Sequence, residues 1–462
     1  MFDGIGASYP YQFFYNLSKL QGSMSKQVIK VSPDRTTGIT SGQIVNYRLP
    51  IGALINLDSL NFHFTVDVKT EKSVPARYAS TFIKRLSIQI NNVSVQIIDN
   101  YNFIYNCYTD HTNKALSKCV GGDFNENSIL WTHAPPTDSS DSVIDGTNAL
   151  LNANAIRTGI RMCINNFIGL LGSASTKIIP TDRTGEIIIS CEYANPADCL
   201  GGAENATFTT AGTYEVKDPY LTCEALSFSD DTYYNSIGDK DLRIGFNDYV
   251  YTSFAETTKY TGVSVQTYVS AGSIDHILAT CRFPPATTIS KMIASKTLGG
   301  AGTDSINVYK YLSDPVGFEG DGDGFYSTKN MIRSLSHIKS SQISINNKQL
   351  NYGAFDKFEI FQNNLLALGY ENVDVSANGF NNTIVSIFHY LKYHGCVIQS
   401  LELIDKDKFF ISGLSSSGSS CAINWKATFD GASTHTVAVI PVIIAKLSRV
   451  LHIKAGRQIS IE

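Results

Sequence analysis

The sequence predicts an all-β protein, with a few short helices, built as two tandem halves. Three observations carry that expectation. A hairpin signature occurs twice: Ile88-Gln89-Ile90-Asn91-Asn92 and Ile343-Ser344-Ile345-Asn346-Asn347 share the pattern Ile-x-Ile-Asn-Asn, a little over half the chain apart. The composition favours sheets, with Phe and Tyr at 24 each and Met at 5, because aromatic and β-branched side chains pack well on a pleated surface. The length of 462 residues is too great for one ordinary core but suits two domains of about 200 residues.

Residues 1–40 read as an N-terminal arm. Phe2, Tyr9, Tyr11, Phe13, Phe14 and Tyr15 follow no strand or helix period. That suits a segment packed on a neighbouring subunit, and equally a terminus docked locally. The first half runs over 41–238. Gln43–Leu49 is a strand stopped by Pro50. Leu60, Phe62, Phe64, Val66 and Val68 alternate with Asn61, His63, Thr65 and Asp67, the period-two pattern of a half-buried strand. At the first repeat, Leu86, Ile88 and Ile90 lead into Asn91-Asn92, and Val93, Val95 and Ile97 leave it. Asn tolerates the positive φ that a tight hairpin turn demands. Tyr101, Ile104, Tyr105 and Tyr108 then recur at helical spacing. Residues 119–160 read as a long polar loop, of the kind that serves function or an interface in a compact domain. Further strands are expected at Ile164–Leu171, at Glu186–Cys191 after the turn Asp182-Arg183-Thr184-Gly185, at Tyr214–Val216 and at Leu221–Phe228.

The turn-rich stretch Ser236-Ile237-Gly238-Asp239-Lys240 supplies the boundary, and 239–462 repeats the style. Strands are expected at Val263–Val269, Ile277–Phe283, Val397–Leu403, Lys408–Ile411, Ala422–Phe429 and Val437–Ala445. The second hairpin covers 341–352. Phe355–Tyr370 and Ile384–Tyr393 suit short helices, and 297–324 reads as a loop. Leu451, Ile453, Ala455, Ile459 and Ile461 alternate toward the end of the chain. About eight strand candidates per half is the count of a jelly-roll barrel.

Composition narrows the function classes. The net charge is −4 and no run of Lys or Arg occurs, so the chain lacks the basic footprint of a nucleic-acid binder. Charged residues are 17%, below the usual share of about 25%. Either other subunits cover much of the surface, or the surface is rich in Ser, Thr and Asn. Nine cysteines without a Cys-x-x-Cys pair point to free buried thiols in a reducing compartment. The sequons at Asn16, Asn92, Asn205 and Asn382 read as chance matches, because Met1–Pro10 lacks the cationic start and apolar core of a secretory leader.

No catalytic, cofactor or metal site is expected. Nucleophile elbow, P-loop and His-Glu-x-x-His patterns are absent. Glu319-Gly320-Asp321-Gly322-Asp323-Gly324 imitates the start of a calcium loop, but its twelfth position is Asn330 instead of a bidentate Glu. His389 and His394 stand five residues apart, not the four that align two ligands on a helical face.

Several segments resemble the double jelly-roll major capsid proteins of virophages and polinton-like viruses, within the adenovirus-like lineage. They are Ser41-Gly42-Gln43 to Pro50 leading into 58–69, the hairpin from Ile83 to Asn106 with its Asn100-Tyr101-Asn102, and Phe167–Leu171. Ile179-Pro180, Gly185–Ile189 and Ile453–Ile459 complete the set. The resemblance implies a structural protein, not an enzyme. It would form a homotrimer of six barrels with a pseudo-hexagonal outline, tiling an icosahedral shell made inside an infected host cell. Its partners would be neighbouring capsomers, a penton protein and minor capsid proteins, with no sequence-specific nucleic-acid binding. The loops 119–160 and 297–324 would form outer towers. Two other classes fit a β-protein of this composition: a carbohydrate- or receptor-binding protein with exposed aromatic platforms, and a jelly-roll glycosidase with a carboxylate pair in a cleft.

Overall fold

The computed structural model describes residues 24–69, 73–75, 79–109, 124–125, 159–202, 213–228, 241–257, 262–282, 333, 335, 338–350, 353–367, 395–402, 412–416, 420–429 and 439–462. Residues 1–23, most of the loop expected over 119–160, all of 297–324, the strand expected at Lys408–Ile411, the helix expected at Ile384–Tyr393, Glu319–Gly324, His389 and His394 lie outside them.

Apart from the short strands Ser73–Pro75, Phe124–Asn125, Ile178–Pro180 and Leu200–Gly202, eight strands form the first unit: β1 (Met24–Val31), β2 (Ile44–Arg48), β3 (Leu54–Val68), β4 (Ile83–Ile90), β5 (Val93–Asp99), β6 (Ile160–Ile164), β7 (Ile187–Tyr193) and β8 (Tyr214–Phe228). Apart from the short returning strand Gln458–Ile461, eight more form the second: β9 (Leu242–Ser253), β10 (Gly262–Val269), β11 (Ser273–Arg282), β12 (Ile338–Ile345), β13 (Lys348–Gln349), β14 (Val397–Ser400), β15 (Cys421–Phe429) and β16 (Ile440–Lys454). The main strands of the first unit run β1-β8-β3-β6, with Phe124–Asn125 beyond β6 and Ile178–Pro180 beside β3, and β2-β7-β4-β5; those of the second run β9-β16-β11-β14, with Gln458–Ile461 beside β16, and β10-β15-β12-β13. Adding eight to each label of the first unit reproduces the second. Neighbouring strands are antiparallel throughout these sheets. Two such faces over one apolar interior make a jelly roll, and the chain holds two in tandem.

The repeated Asn pairs sit at equivalent turns, β4 to β5 and β12 to β13. Their φ values are 48° and 64° for Asn91 and Asn92, and 49° and 63° for Asn346 and Asn347. Two consecutive positive φ values fit the hairpin turn whose twist matches the flanking strands. Alternation along β3 sends Phe62 and Phe64 inward, each 2% exposed. Phe62 meets Tyr47 edge-on with centroids 5.2 Å apart, and Phe64 meets Phe82 and Tyr193 at 5.9 Å. In the second barrel the buried Trp425 fills the interior and its indole N–H donates to Ser341 Oγ at 2.9 Å. The eight described cysteines are free thiols, and all but Cys163 are buried.

Several expectations change. Residues 24–31, placed by the sequence in the arm, pair along β8 as an edge strand. An edge strand buries only part of one face, so its alternation is faint. The strand expected over Ile164–Leu171 ends at Ile164. The apolar residues beyond it pass through Gly169 (φ 78°) into a helical turn over Leu170–Ser173 that faces the second unit. Asp182–Gly185 belongs to another helical turn, over Thr181–Thr184. Tyr214–Phe228 is one strand, because a register shift absorbs Asp218 (φ 47°) and Pro219. Strand β9 went unrecognised: its Asn247 and Asp248 belong to the contact between units and interrupt the apolar pattern. Leu451 to Ile461 is a hairpin, with β16 turning at Gly456 (φ 74°) and Arg457 (φ 63°) so that Gln458–Ile461 pairs back on it.

Candidate functional site

The two barrels meet along a seam whose centre is helix α1 (Tyr101–Thr109), which leaves β5 directly. Phe103, Ile104, Tyr105 and Cys107 are all buried. Even its polar Asn102 and Asn106 are buried, because α1 has a barrel on each side. Toward the first barrel, Asn102 Nδ2 donates to Thr81 O at 3.2 Å, and the Ile168 N–H donates to the Tyr101 hydroxyl at 3.3 Å. Toward the second, Phe103 stands edge-on to Tyr251 with centroids 6.1 Å apart, under the Arg282 guanidinium at 4.4 Å. Tyr108 packs on Tyr249 at 5.4 Å and on His276 at 6.3 Å. Strand β11 is consequently buried on both faces from Ser273 to Cys281.

Three polar tethers cross the seam. Gln96, buried on β5, donates through Nε2 to Asn247 O at 2.8 Å and to Asp248 Oδ1 at 2.9 Å. Its Oε1 accepts the Leu170 N–H at 2.7 Å, and Arg449 holds the other Asp248 oxygen at 3.0 Å. Nearby, Ser173 and Ser175 hydroxyls accept the N–H groups of Asn247 and Gly245 at 2.8 and 2.9 Å. In the second tether, buried Asp198 lies 3.7 Å from Lys84 Nζ and 3.9 Å from an Arg282 nitrogen, while Arg282 donates to the Tyr251 hydroxyl at 2.8 Å. In the third, Asn91 Nδ2 donates to Arg457 O and Arg457 Nε donates to Asp182 O, each at 3.1 Å. Buried polar groups cost free energy unless they are bonded, so the first two tethers, built on buried Gln96 and Asp198, favour the one docking angle that satisfies them; the third is exposed. Gly169 marks how closely the parts approach, because a Cβ there would stand 2.5 Å from Gln96 Oε1.

Behind the seam, burial pushes the Asp275 carboxyl above its usual range. The Ser448 and Ser273 hydroxyls at 2.7 and 2.8 Å and the Lys446 charge pull it down, and Glu402 adds to the rise. On the outer face of the first barrel, burial pushes Asp67 upward. Hydrogen bonds from Lys217 and the Gly159 N–H, with the Lys217 and Lys69 charges, outweigh it and hold the carboxyl below its usual value. Among the described residues, no group of three or more His, Cys, Asp or Glu is placed to hold a metal ion. No helix there is long and apolar enough to cross a membrane.

The sequence pointed to no individual seam residue. Two signals carried the information: the aromatic-rich run Tyr101–Cys107, and the apolar residues Ile277, Leu278 and Ala279 on consecutive positions of one strand. A strand apolar on both faces is one covered on both.

No family model matches the chain, and no curated protein does. Solved structures do. The PBCV-1 protein VP54, fitted into a reconstruction of the virophage Sputnik, aligns over 97% of this chain and 99% of its own, with TM-score 0.58 and 11% identity. The fold is a double jelly roll. A chain of the Sputnik virophage structure matches over 97% of this chain and 90% of its own, with TM-score 0.54 and 9% identity. The Faustovirus major capsid protein matches over 96% and 92%, with TM-score 0.52 and 11% identity. The chain thus resembles, over nearly its whole length, double jelly-roll proteins of viral capsids.

Proposed function

We propose that the chain is a major capsid protein, a structural subunit and not an enzyme, that trimerises into pseudo-hexagonal capsomers and tiles an icosahedral viral shell. The observation that carries this reading is the identical strand order of two barrels locked by a buried seam, together with the full-length likeness to the Faustovirus major capsid protein. Two barrels held rigidly side by side give one subunit two of six similar corners, and three subunits complete a hexagonal outline. The division falls near Asp239, between Phe228 and Leu242. The shell's other components, neighbouring capsomers with a penton protein and minor capsid proteins, would meet the capsomer at its margins. Its place is the virion. A net charge of −4 favours assembly through packed surfaces over assembly on a genome.

The test is expression of the chain alone, followed by electron microscopy of the purified material. Hexagonal capsomers, sheets of them or closed shells are the expected result. Compact monomers with no higher-order object, at high protein concentration, would refute it.

A further inference from the structure

Lys84, Asn100 and Asp198 meet where the hairpin of the first barrel passes into α1. Lys84 Nζ donates to Asn100 Oδ1 at 2.6 Å and stands 3.7 Å from an Asp198 carboxylate oxygen. Local structure aims each group. Lys84 is the extra residue of a bulge in β4: Arg85 faces Glu192 and Ile83 faces Tyr193, leaving Lys84 unmatched between them, and a bulge re-aims the side chain it carries. Asn100, at φ 54°, accepts the Ile104 N–H on its backbone oxygen at 3.0 Å, which fixes it at the start of α1. Asp198 lies in the helical turn Pro196–Cys199, its side chain 3% exposed, with an Arg282 nitrogen 3.9 Å away. The adjacent Ile83, Tyr101 and Cys199 are all buried, so the three groups meet against a dry wall. The nearby carboxylates of Asp99 and Glu192 are held by Arg85, which leaves Asp198 as the acidic partner of Lys84.

We propose that this is a modification site, at which the folded chain joins Lys84 Nζ to Asn100 Cγ in an isopeptide bond and releases ammonia. A C=O bond is about 1.23 Å long, so a nitrogen 2.6 Å from the amide oxygen lies no more than about 3.8 Å from the amide carbon. That is close to the separation of about 3–3.5 Å from which bonds form. Asp198 takes a proton from the Lys84 ammonium and so frees its lone pair. The amine attacks Cγ, and the bond from Cγ to the Asn100 side-chain nitrogen breaks. That nitrogen leaves as ammonium, carrying two protons shed by Lys84, one of them by way of Asp198. One positive charge is consumed and one is released, and no oxidant, cofactor or second substrate takes part. The bond closes residues 84–100 into a covalent ring. It fastens the base of the hairpin to the first turn of α1, the helix at the centre of the seam.

The experiment is mass spectrometry of the purified full chain, held folded at neutral pH, then denatured and digested with trypsin. The chain should be lighter than its sequence by one ammonia. Trypsin should fail to cut after Lys84, and a branched peptide should join residues 78–85 to residues 86–114. Lys84→Arg, which keeps the charge, should show the full sequence mass and melt at a lower temperature. Asp198→Asn should slow the linkage by about 100-fold or more, as loss of a proton-transferring side chain does. Complete cleavage after Lys84 with a linear Asn100 peptide overturns the inference and leaves a hydrogen-bonded ion pair. A lost ammonia that maps to a ring closed within Asn100 on a linear peptide overturns it as well. An Asp198→Asn chain that links at the unaltered rate overturns the part assigned to Asp198. The digest reads the single subunit, so each result holds whether or not the chain assembles into capsomers.

Discussion

Helices α1 and α2 (Lys357–Ala367) occupy the same place in two barrels of the same design, yet one is buried from Tyr101 to Cys107 and the other shows two large apolar side chains, Phe358 and Leu366, to solvent. Local sequence accounts for part of the contrast, since α2 carries Lys357, Glu359, Gln362, Asn363 and Asn364 whereas α1 carries no charged residue. Position adds to it. The first barrel has a second barrel beside its helix within the chain, and the second barrel does not. Topology therefore repeats where the environment does not, and the residues that break the repeat mark where one unit meets another.

The largest expected effect tests that contrast directly. Phe103→Ala should lower subunit stability by about 3–5 kcal/mol, as deletion of a fully buried aromatic does, measured by denaturant unfolding. Phe358→Ala should change it by less than about 0.5 kcal/mol. Similar losses at both sites would erase the distinction. Phe62→Ala and Phe64→Ala, inside the barrel, should match Phe103→Ala.

Gly169→Val should cost about 1–3 kcal/mol, because a side chain there forces Gln96 away from Asp248 and a β-branched residue resists positive φ. It should also split one unfolding transition into two, as the barrels lose their shared contact. A single transition with unchanged midpoint would show that the Gln96 tether does not couple them.

The turns should behave alike. Asn92→Gly and Asn347→Gly each relieve a positive φ, and Asn-Gly is the preferred pair in such turns, so each should gain at most about 1 kcal/mol. A gain in one and a loss in the other would show that the two hairpins are not equivalent in energy.

The smallest effects are in pH dependence, and their signs oppose. Asp67 is held below its usual value, so its stabilisation is present above the unfolded pKa near 3.9 and is lost as pH falls through the folded value. Asp275 is raised, so the folded state retains a proton that the unfolded state releases, and stability falls as pH rises from about 3.9 through the raised value. Asp67→Asn should flatten the acid side of a stability–pH curve, and Asp275→Asn should remove the fall on the other side. The same sign for both would contradict the assigned environments.

Much of the fold was legible because hairpins and half-buried strands carry their own periods. β3 alternates without interruption, and the two Ile-x-Ile-Asn-Asn turns announced the duplication. β1 was not legible, since an edge strand with Lys26, Val28 and Lys30 facing water has little apolar period. β9 was hidden for the opposite reason: it is covered on both faces and places Asn247 and Asp248 where alternation would put apolar residues. The seam's tethers join Gln96 to Asp248 and Asp198 to Arg282, pairs far apart in sequence and close only after both barrels form. No local pattern announces them.

The central claim is that one chain carries two of the six barrels in a capsomer held together by protein surfaces. Light scattering of the nuclease-treated protein, at low and at high salt, tests it most directly. A mass near three times 50.5 kDa at both salts is the predicted result. Monomers at both salts, or trimers that form only when nucleic acid is returned, would contradict it.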